Sequence, residues 1–126
     1  TLFPYTTLFR SKNILTELEL PYRVLKLCGG DLGFTSALTF DFEVYSAGQE
    51  RWLEVSSVST FNSFQAERLK IRYKDGKGKK ALVHTLNGSS LAIPRVVAGL
   101  LENFQVKGGI RRPKALIAYT GFEMID

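Results

Sequence analysis

The stretch SALTFDFEVYSAGQERWLEVSSVS, residues 36–59, determines the predicted fold of this 126-residue chain. In its first half Leu38, Phe40, Phe42 and Val44 alternate with polar residues, and this period of two predicts a long half-buried β-strand. The polar residues of the other face are Thr39, Asp41 and Glu43. The turn AGQE then leads into a second strand, and strands joined by so short a turn must be antiparallel. An antiparallel hairpin is therefore the predicted centre of the fold.

Segments on both sides of the hairpin have helical patterns. Residues 13–20 are predicted to end a helix that Pro21 stops, and residues 62–70 to form a short helix with Asn62 or Ser63 as its N-cap. A longer helix is predicted after HTLNGSS, with one apolar stripe facing the core: Ile93, Val97, Leu100, Leu101 and Phe104. Further strands extend the sheet. The prediction is an α+β fold, an antiparallel sheet flanked by helices.

Composition and charge exclude several classes of protein. Apolar residues make up 44% and charged residues 23% of the chain, which is ordinary for a globular domain. There is no run of about eighteen apolar residues that would predict a membrane span, and no segment has the pattern of a signal peptide. Cys28 is the only cysteine, so an internal disulfide is excluded. These features predict a cytoplasmic protein with no membrane partner. The net charge of +5 favours a polyanionic partner without identifying one.

Residues 1–12, TLFPYTTLFRSK, differ from the rest of the chain. The triplet TLF occurs twice, and no helical or strand period continues through the segment. Two interpretations follow from the residues: a non-native or artefactual leader, and a native N-terminal strand. The first interpretation divides the chain into a leader, residues 1–12, and a single domain, residues 13–126.

Arg95 lies near the start of the predicted long helix, directly after Pro94. A cation is unfavourable there because the helix macrodipole makes the N-terminus positive. It becomes favourable when one phosphate binds both the free amides and the guanidinium. A phosphate-binding arginine is therefore one interpretation, and an ordinary solvated arginine is the other. In the preceding turn, Ser89 and Ser90 are candidates to cap the helix or to contact a ligand, with Asn87 beside them.

Glu54 lies among hydroxyl residues in the second strand of the hairpin. A carboxylate beside hydroxyls offers the oxygen ligands that Mg²⁺ prefers, and Mg²⁺ commonly bridges to substrate phosphates. The alternative is a cross-strand pair with a lysine or an arginine. His84, the only histidine, has no second ligand at metal spacing and is predicted to be structural. The lysines of the loop KDGKGKK are predicted to form a solvated tip, with contact to a nucleic-acid backbone as the second interpretation.

Two long stretches, LEVSSVSTFNSFQAERLKIRY and HTLNGSSLAIPRVVAGLLENFQ, resemble the C-terminal half of the catalytic domain of the seryl-tRNA synthetases, a family of class II aminoacyl-tRNA synthetases. The second stretch resembles the third signature motif of that class. The resemblance runs without interruption over residues 20–125 and includes LPYRVLKLCGGDLGF and IRRPKALIAYTGFEMI. Residues 1–12 are outside it, which favours the leader interpretation.

The resemblance implies a site that activates serine with ATP. Arg95 matches the motif-three arginine that binds the ATP phosphates. The EVSS segment matches the ATP-contacting segment of the family: Glu54, Val55, Ser56 and Ser57. Within this segment, Glu54 and Ser57 match the positions that hold Mg²⁺. Ser89 matches a position that contacts the serine substrate, and Asn87 lies in the same wall.

One geometric requirement follows from this match. On a regular strand Glu54 and Ser57 face opposite ways, so a shared metal requires a bulge or a strand end near Ser56. We expect such a break in the second strand of the hairpin.

For the whole protein, the resemblance implies activation of L-serine with ATP, its transfer to tRNA(Ser), and a homodimer in full-length members of the family. The first two motifs of the class, including the dimer-forming one, have no match in this chain. We therefore expect the chain by itself to be an inactive part of a serine–tRNA ligase. Two alternatives remain: a synthetase-like paralogue that aminoacylates a carrier protein, and a non-catalytic basic nucleic-acid-binding module.

Overall fold

The computed structural model describes residues 5–126, and this range contains four helices and nine strands. The helices are α1 (Tyr5–Glu17), α2 (Phe64–Leu69), α3 (Ile93–Asn103) and α4 (Lys114–Thr120). The strands are β1 (Tyr22–Lys26), β2 (Leu38–Ser46), β3 (Arg51–Asn62), β4 (Arg72–Lys74), β5 (Lys80–Leu82), β6 (Thr85–Gly88), β7 (Gln105–Val106), β8 (Gly109–Arg111) and β9 (Met124–Ile125). None of the helices in the described range is long and apolar enough to cross a membrane.

A four-stranded antiparallel sheet with the order β1-β2-β3-β6 forms the centre of the structure. Strands β2 and β3 are the predicted hairpin, and they pair from Leu38 opposite Thr60 to Ser46 opposite Arg51. Strands β4 and β5 form a separate hairpin, and β7, β8 and β9 form a small third sheet. The predicted α+β fold, with an antiparallel sheet and flanking helices, is confirmed.

Helices α1 and α3 pack against one face of the central sheet, which we call the core face and define by Phe42, Val44 and Val58. Phe42 and Val58 are fully buried. Leu15 of α1 and Val96 of α3 belong to the same hydrophobic cluster. The alternation read from the first strand brings Phe42 and Val44 to this face, because successive side chains on a strand point to opposite sides.

Helix α3 buries only part of the predicted stripe: Phe104 belongs to the core cluster and Leu100 packs against it. Val96 and Phe104 are buried, whereas Ile93 is 63% exposed. The prediction was wrong for the residues on the outer edge of the helix: Ile93, Val97 and Leu101. Gly99 lies on the buried side, where an added Cβ would come 3.0 Å from Val44 Cγ1. The absent side chain lets the helix approach the sheet along a line that the apolar pattern alone does not reveal.

The helices begin without the predicted side-chain caps. The N-cap residue of α3 is Ala92 and that of α2 is Ser63, and neither makes a side-chain capping hydrogen bond. Ser89 and Ser90 lie between β6 and α3, so neither of them is the N-cap of α3. The hydroxyl of Ser89 has a different partner, described below.

Helix α1 begins at Tyr5, inside the segment interpreted as a leader, and residues 1–4 lie outside the described range. Ser11 of this helix is fully buried, and its hydroxyl lies 3.2 Å from the hydroxyl of Ser56 on β3. Leu8 packs against the core cluster. Part of the segment therefore contributes to the packing of the domain. The proposed boundary after residue 12 stays a prediction, because packing does not report the origin of a segment.

Candidate active site

Strand β3 contains a β-bulge at Val55. In the register with β2, Phe42 lies opposite Ser56 and Glu43 lies opposite Glu54, so Val55 has no partner. Val55 and Ser56 are both buried, although neighbours on a regular strand point to opposite sides. A single extra residue of this kind is the defining feature of a bulge. The predicted break near Ser56 is confirmed.

The bulge brings Glu54 and Ser57 to the same face of the sheet. Directly opposed residues of an antiparallel pair share a face. Ser57 is opposite Asp41, and Glu54 is opposite Glu43. Asp41 and Glu43 are two positions apart on β2, so all four side chains share one face. We call it the polar face, and the register adds to it Thr39, Ser59 and Asn87.

The edge of β3 beside the bulge is bonded to the segment that leads into α3. The N–H of Ala92 donates to the carbonyl of Val55 at 2.6 Å, and the N–H of Ser89 donates to that of Ser57 at 3.0 Å. Arg95 completes this row, because its Nη1 donates to the carbonyl oxygen of Glu54 at 2.5 Å. Arg95 and Glu54 are 41 residues apart in the sequence and lie side by side at the start of α3.

Two serine hydroxyls reinforce this connection. The hydroxyl of the buried Ser56 donates to the carbonyl of Ser89 at 2.5 Å. The Ser89 hydroxyl accepts the N–H of Ser57 at 3.1 Å, and its own O–H keeps the capacity to donate to a ligand. Ser56 and Val55 point into the core, so a contact of either residue with a nucleotide on the polar face would involve the backbone.

Asn87 is exposed on β6, opposite Ser59. Ser59 is two positions beyond Ser57 on β3, so the Asn87 side chain lies on the polar face, displaced along the sheet from Glu54. The structure therefore brings Arg95, Glu54, Ser57 and Ser89 into one neighbourhood, with Asn87 at its margin.

The polar face is acidic. It carries three carboxylates, Asp41, Glu43 and Glu54, and Glu43 is paired with Arg23, whose Nε lies 2.5 Å from Glu43 Oε2. Arg23 also lies over the ring of Trp52, 4.7 Å from its centroid. Within residues 5–126 neither Glu54 nor Asp41 forms an ion pair. The cross-strand ion pair considered for Glu54 is thus formed by its neighbour Glu43.

A magnesium ion fits the donors of this face. Glu54 supplies a carboxylate and Ser57 a hydroxyl on the same side of the strand. One buried oxygen of Asp41, Oδ1, has no hydrogen-bond partner within residues 5–126. Among the described residues no three His, Cys, Asp or Glu side chains form a metal-holding group. This argues against a closed structural metal site. It agrees with Mg²⁺, which is usually bound by one or two protein ligands and completed by water and substrate phosphates.

Sequence reasoning missed Asp41. The alternating pattern assigned it to the polar side of a half-buried strand, but Asp41 is only 8% exposed and Thr39 only 5%. The prediction of an open polar side was wrong at these two positions. Asp41 could have been selected from its position opposite Ser57. That pairing can be deduced from the sequence only when the bulge in β3 is taken into account. His84 is exposed and belongs to no metal-holding group in the described range.

With this geometry established, the family of the chain can be identified. Residues 5–104 match the family model described as the tRNA synthetase class II core domain (G, H, P, S and T). The chain belongs to this family of class II synthetases. Within the class, it resembles the serine–tRNA ligases, so the resemblance read from the residues is confirmed.

The serine–tRNA ligase of Salinibacter ruber is 58% identical over 117 residues, covering 91% of this chain and 27% of that protein. The serine–tRNA ligase of Finegoldia magna is 52% identical over 117 residues, covering 92% and 28%. The chain therefore spans little more than a quarter of the length of these relatives.

Solved structures of two seryl-tRNA synthetases are also similar to this chain. A crystal structure of the seryl-tRNA synthetase of Pyrococcus horikoshii complexed with ATP superposes with a TM-score of 0.87 at 38% identity, covering 98% of this chain and 29% of that one. The cytoplasmic serine–tRNA ligase of Naegleria fowleri in complex with AMP gives a TM-score of 0.86 at 28% identity, with the same coverage.

Proposed function

We propose that this chain is part of a serine–tRNA ligase, which activates L-serine with ATP to seryl-adenylate and transfers the seryl group to tRNA(Ser). The observation that carries the proposal is the contact between Arg95 and the backbone of Glu54, because it holds the guanidinium that we assign to the phosphates beside the residue whose carboxylate we assign to the metal. The identity with serine–tRNA ligases and the similarity to an ATP complex support it.

In the proposed reaction, a carboxylate oxygen of serine attacks the α-phosphorus of ATP, a P–O bond forms, and the bond to pyrophosphate breaks. Negative charge on the phosphates must be neutralised and held in line for this displacement. We assign Arg95 to binding the phosphates of ATP, because its planar guanidinium can bind two oxygens at once. Its bond to the Glu54 carbonyl fixes the direction from which the guanidinium reaches them.

The remaining residues of the proposed site divide between nucleotide and substrate. Glu54 and Ser57 are assigned as ligands of Mg²⁺, which supplies charge neutralisation between the phosphates when bound. Val55 and Ser56 contribute backbone along the nucleotide, and Ser56 fixes the Ser89 carbonyl. Ser89 and Asn87 are assigned to the serine substrate, because both are exposed polar groups at the end of the EVSS segment.

For the whole protein we further propose a homodimer that works in the cytoplasm with L-serine, ATP and tRNA(Ser) as its substrates. The basis is the serine–tRNA ligase relatives, which this chain matches over nine-tenths of its own length. The chain by itself is expected to be inactive, as inferred above from the missing motifs.

A chimera tests the proposed activity. Residues 20–125 replace the corresponding segment of the Salinibacter ruber serine–tRNA ligase, and serine-dependent ATP–pyrophosphate exchange is measured. The chimera is expected to be active with serine. Arg95→Ala in it is expected to lower exchange by about 100-fold or more, the usual loss for a charge-stabilising donor. Arg72→Ala, an exposed arginine on β4, is the matched control and is expected to leave exchange unchanged.

Several outcomes would contradict the proposal. A folded chimera without serine-dependent exchange, or one in which Arg95→Ala has no effect, would remove the assigned site. Robust exchange by the 126-residue chain alone would overturn the expectation that it is inactive. Exchange without charging of tRNA(Ser) would favour the carrier-protein alternative.

A further inference from the structure

Asp41 is a buried carboxylate without a complete set of partners. It is 8% exposed, and its Oδ1 is buried without a hydrogen-bond partner in the described part of the chain. Leaving a buried charged oxygen unpaired destabilises a folded protein, because the oxygen has lost its water and gained nothing in exchange. A residue with this cost is commonly retained for a ligand that supplies the missing hydrogen.

The register shows which groups surround Asp41. Its direct neighbours across the sheet are Leu25 on β1 and Ser57 on β3, and Glu54 is diagonal to it beyond the bulge. Directly opposed residues have Cβ atoms about 5 Å apart, so the Asp41 carboxylate is within reach of the Ser57 hydroxyl. Diagonal neighbours are about 7–8 Å apart, which leaves room for one water molecule between Asp41 and a cation held by Glu54.

The two arginine side chains near Asp41 have other partners. Arg23 is paired with Glu43, at the next position of the polar face along β2. Arg95 donates to the carbonyl of Glu54. Neither of these two arginines, therefore, supplies the hydrogen that Asp41 Oδ1 lacks.

We propose that Asp41 is a positioning residue for the divalent cation, accepting hydrogen bonds from the Ser57 hydroxyl and from water bound to the cation. The proposal rests on the proposed function, in which Glu54 and Ser57 are the cation ligands. A serine hydroxyl that ligates a cation through its oxygen must point its hydrogen elsewhere, and Asp41 lies directly opposite. Mg²⁺ retains several of its waters, whose hydrogens need acceptors. Outer carboxylates of this kind orient the direct ligands of many metal sites.

The test measures binding of the Mn²⁺–ATP complex to the chimera with the Salinibacter ruber enzyme, by equilibrium dialysis. Asp41→Asn is expected to weaken Mn²⁺ binding about 10- to 100-fold, the usual effect of removing such a partner. In a Ser57→Ala background the same substitution is expected to cost much less, because the two residues act on one hydrogen bond. Asp31→Asn is the control, because Asp31 is exposed and the charge change is the same; it is expected to leave Mn²⁺ binding unchanged.

Thermal unfolding in EDTA separates a positioning role from a structural one. Without a cation the Asp41 carboxylate is an unpaired buried charge, so Asp41→Asn is expected to leave the Tm unchanged or to raise it by a few degrees. A lower Tm together with weaker Mn²⁺ binding would mean that Asp41 holds the fold, and would overturn the proposal.

The remaining outcomes distinguish this inference from the proposed function. If Glu54→Gln abolishes binding of Mn²⁺–ATP while Asp41→Asn binds it as tightly as the unmodified chimera, the role of Asp41 is overturned and the cation site stands. If Glu54→Gln has no effect, or the unmodified chimera does not bind Mn²⁺–ATP, the cation site is overturned and the role of Asp41 with it.

Discussion

The two faces of the central sheet carry opposite chemistry although the same strands build both. On the core face, Phe42 and Val58 are fully buried among apolar side chains of α1 and α3. On the polar face, Asp41 is nearly as buried, but its Oδ1 has no hydrogen-bond partner in the part of the chain that the structure describes. The core face is stabilised by burial of apolar surface. The polar face is incomplete as it stands, and we infer that a ligand completes it.

One extra residue in β3 determines which of its side chains join the core face and which join the face that we propose binds a ligand. Without the bulge at Val55, a regular strand would carry Glu54 and Ser57 on opposite sides. With it, both lie on the polar face, and Ser56 turns into the core to bond the Ser89 carbonyl. The predictions below test this division, from the largest expected effect to the smallest.

Deletion of Val55 removes the bulge and is expected to have the largest effect. The remaining pairs, Phe42 with Ser56 and Glu43 with Glu54, would follow one another as on a regular strand, but the buried Val55 side chain and the carbonyl that accepts the N–H of Ala92 at the start of α3 would both be lost. We expect the loss of a cooperative unfolding transition, followed by circular dichroism in urea. Val55→Ala keeps the bulge and is the control, with an expected cost of about 2 kcal/mol. A deletion variant as stable as Val55→Ala would contradict our account of the bulge.

Phe42→Ala tests the core face alone. Phe42 is fully buried at the centre of the cluster, and such a truncation usually costs about 3–5 kcal/mol through lost burial and the cavity left behind. Phe34→Ala is the matched control, because Phe34 is 90% exposed and its one aromatic contact among the described residues is with Phe64. Its expected cost is about 1 kcal/mol or less. Equal losses in urea denaturation for the two variants would show that the core is elsewhere.

Glu102 gives the smallest expected effect and a contrast with Asp41. Its Oε2 accepts from Ser46 Oγ at 2.5 Å and from the N–H of Gly48 at 3.2 Å, so it ties α3 to the turn between β2 and β3. These two hydrogen bonds, that of Ser46 first, lower the pKa of Glu102 below its ordinary value. Because the folded-state pKa is the lower one, the stabilisation is present above the unfolded-state pKa and is lost as the pH falls through the folded-state value.

The measurement is the Tm of the unmodified chain and of Glu102→Gln between pH 7 and pH 3. The difference is expected to be largest near neutral pH, constant down to about pH 5, and to shrink below about 4.3, the ordinary value for a glutamate. Glu123→Gln, an exposed acid, is the control for the change in net charge. A difference that grows on acidification would have the wrong sign for this explanation.

The fold was largely predictable because its evidence is local. The alternation in residues 38–44 and the four-residue turn after them specify the β2–β3 hairpin, and both were read correctly. The face of α3 was misread in part, because a count of apolar residues does not register Gly99, whose importance is the space it leaves beside Val44. Ser63 is the N-cap residue of α2 as predicted, although its side chain makes no capping hydrogen bond. The cap of α3 was misread, because Ser89 finds its hydrogen bond on β3 instead.

The candidate site was predictable in part. Motif resemblance selected Arg95 and Glu54, and the need for a bulge followed from the spacing of Glu54 and Ser57. Asp41 was not selected, because its sequence context is that of any polar residue on an alternating strand. Its unpaired oxygen exists only once β1 and β3 are in place on both sides of it.

By itself, the sequence of this chain determined its period of apolar residues, its turn, its membership of a synthetase family and the identity of its charged groups. These properties depend on residues that are close to one another in the sequence, and local sterics and hydrophobic burial determine the structure that such residues adopt. Only the tertiary structure decided that Arg95 meets the carbonyl of Glu54, that the bulge brings Glu54 and Ser57 to one face, and that Asp41 Oδ1 is buried with no hydrogen-bond partner among residues 5–126. Each of these depends on strand register, and register is set by the packing of whole faces against one another.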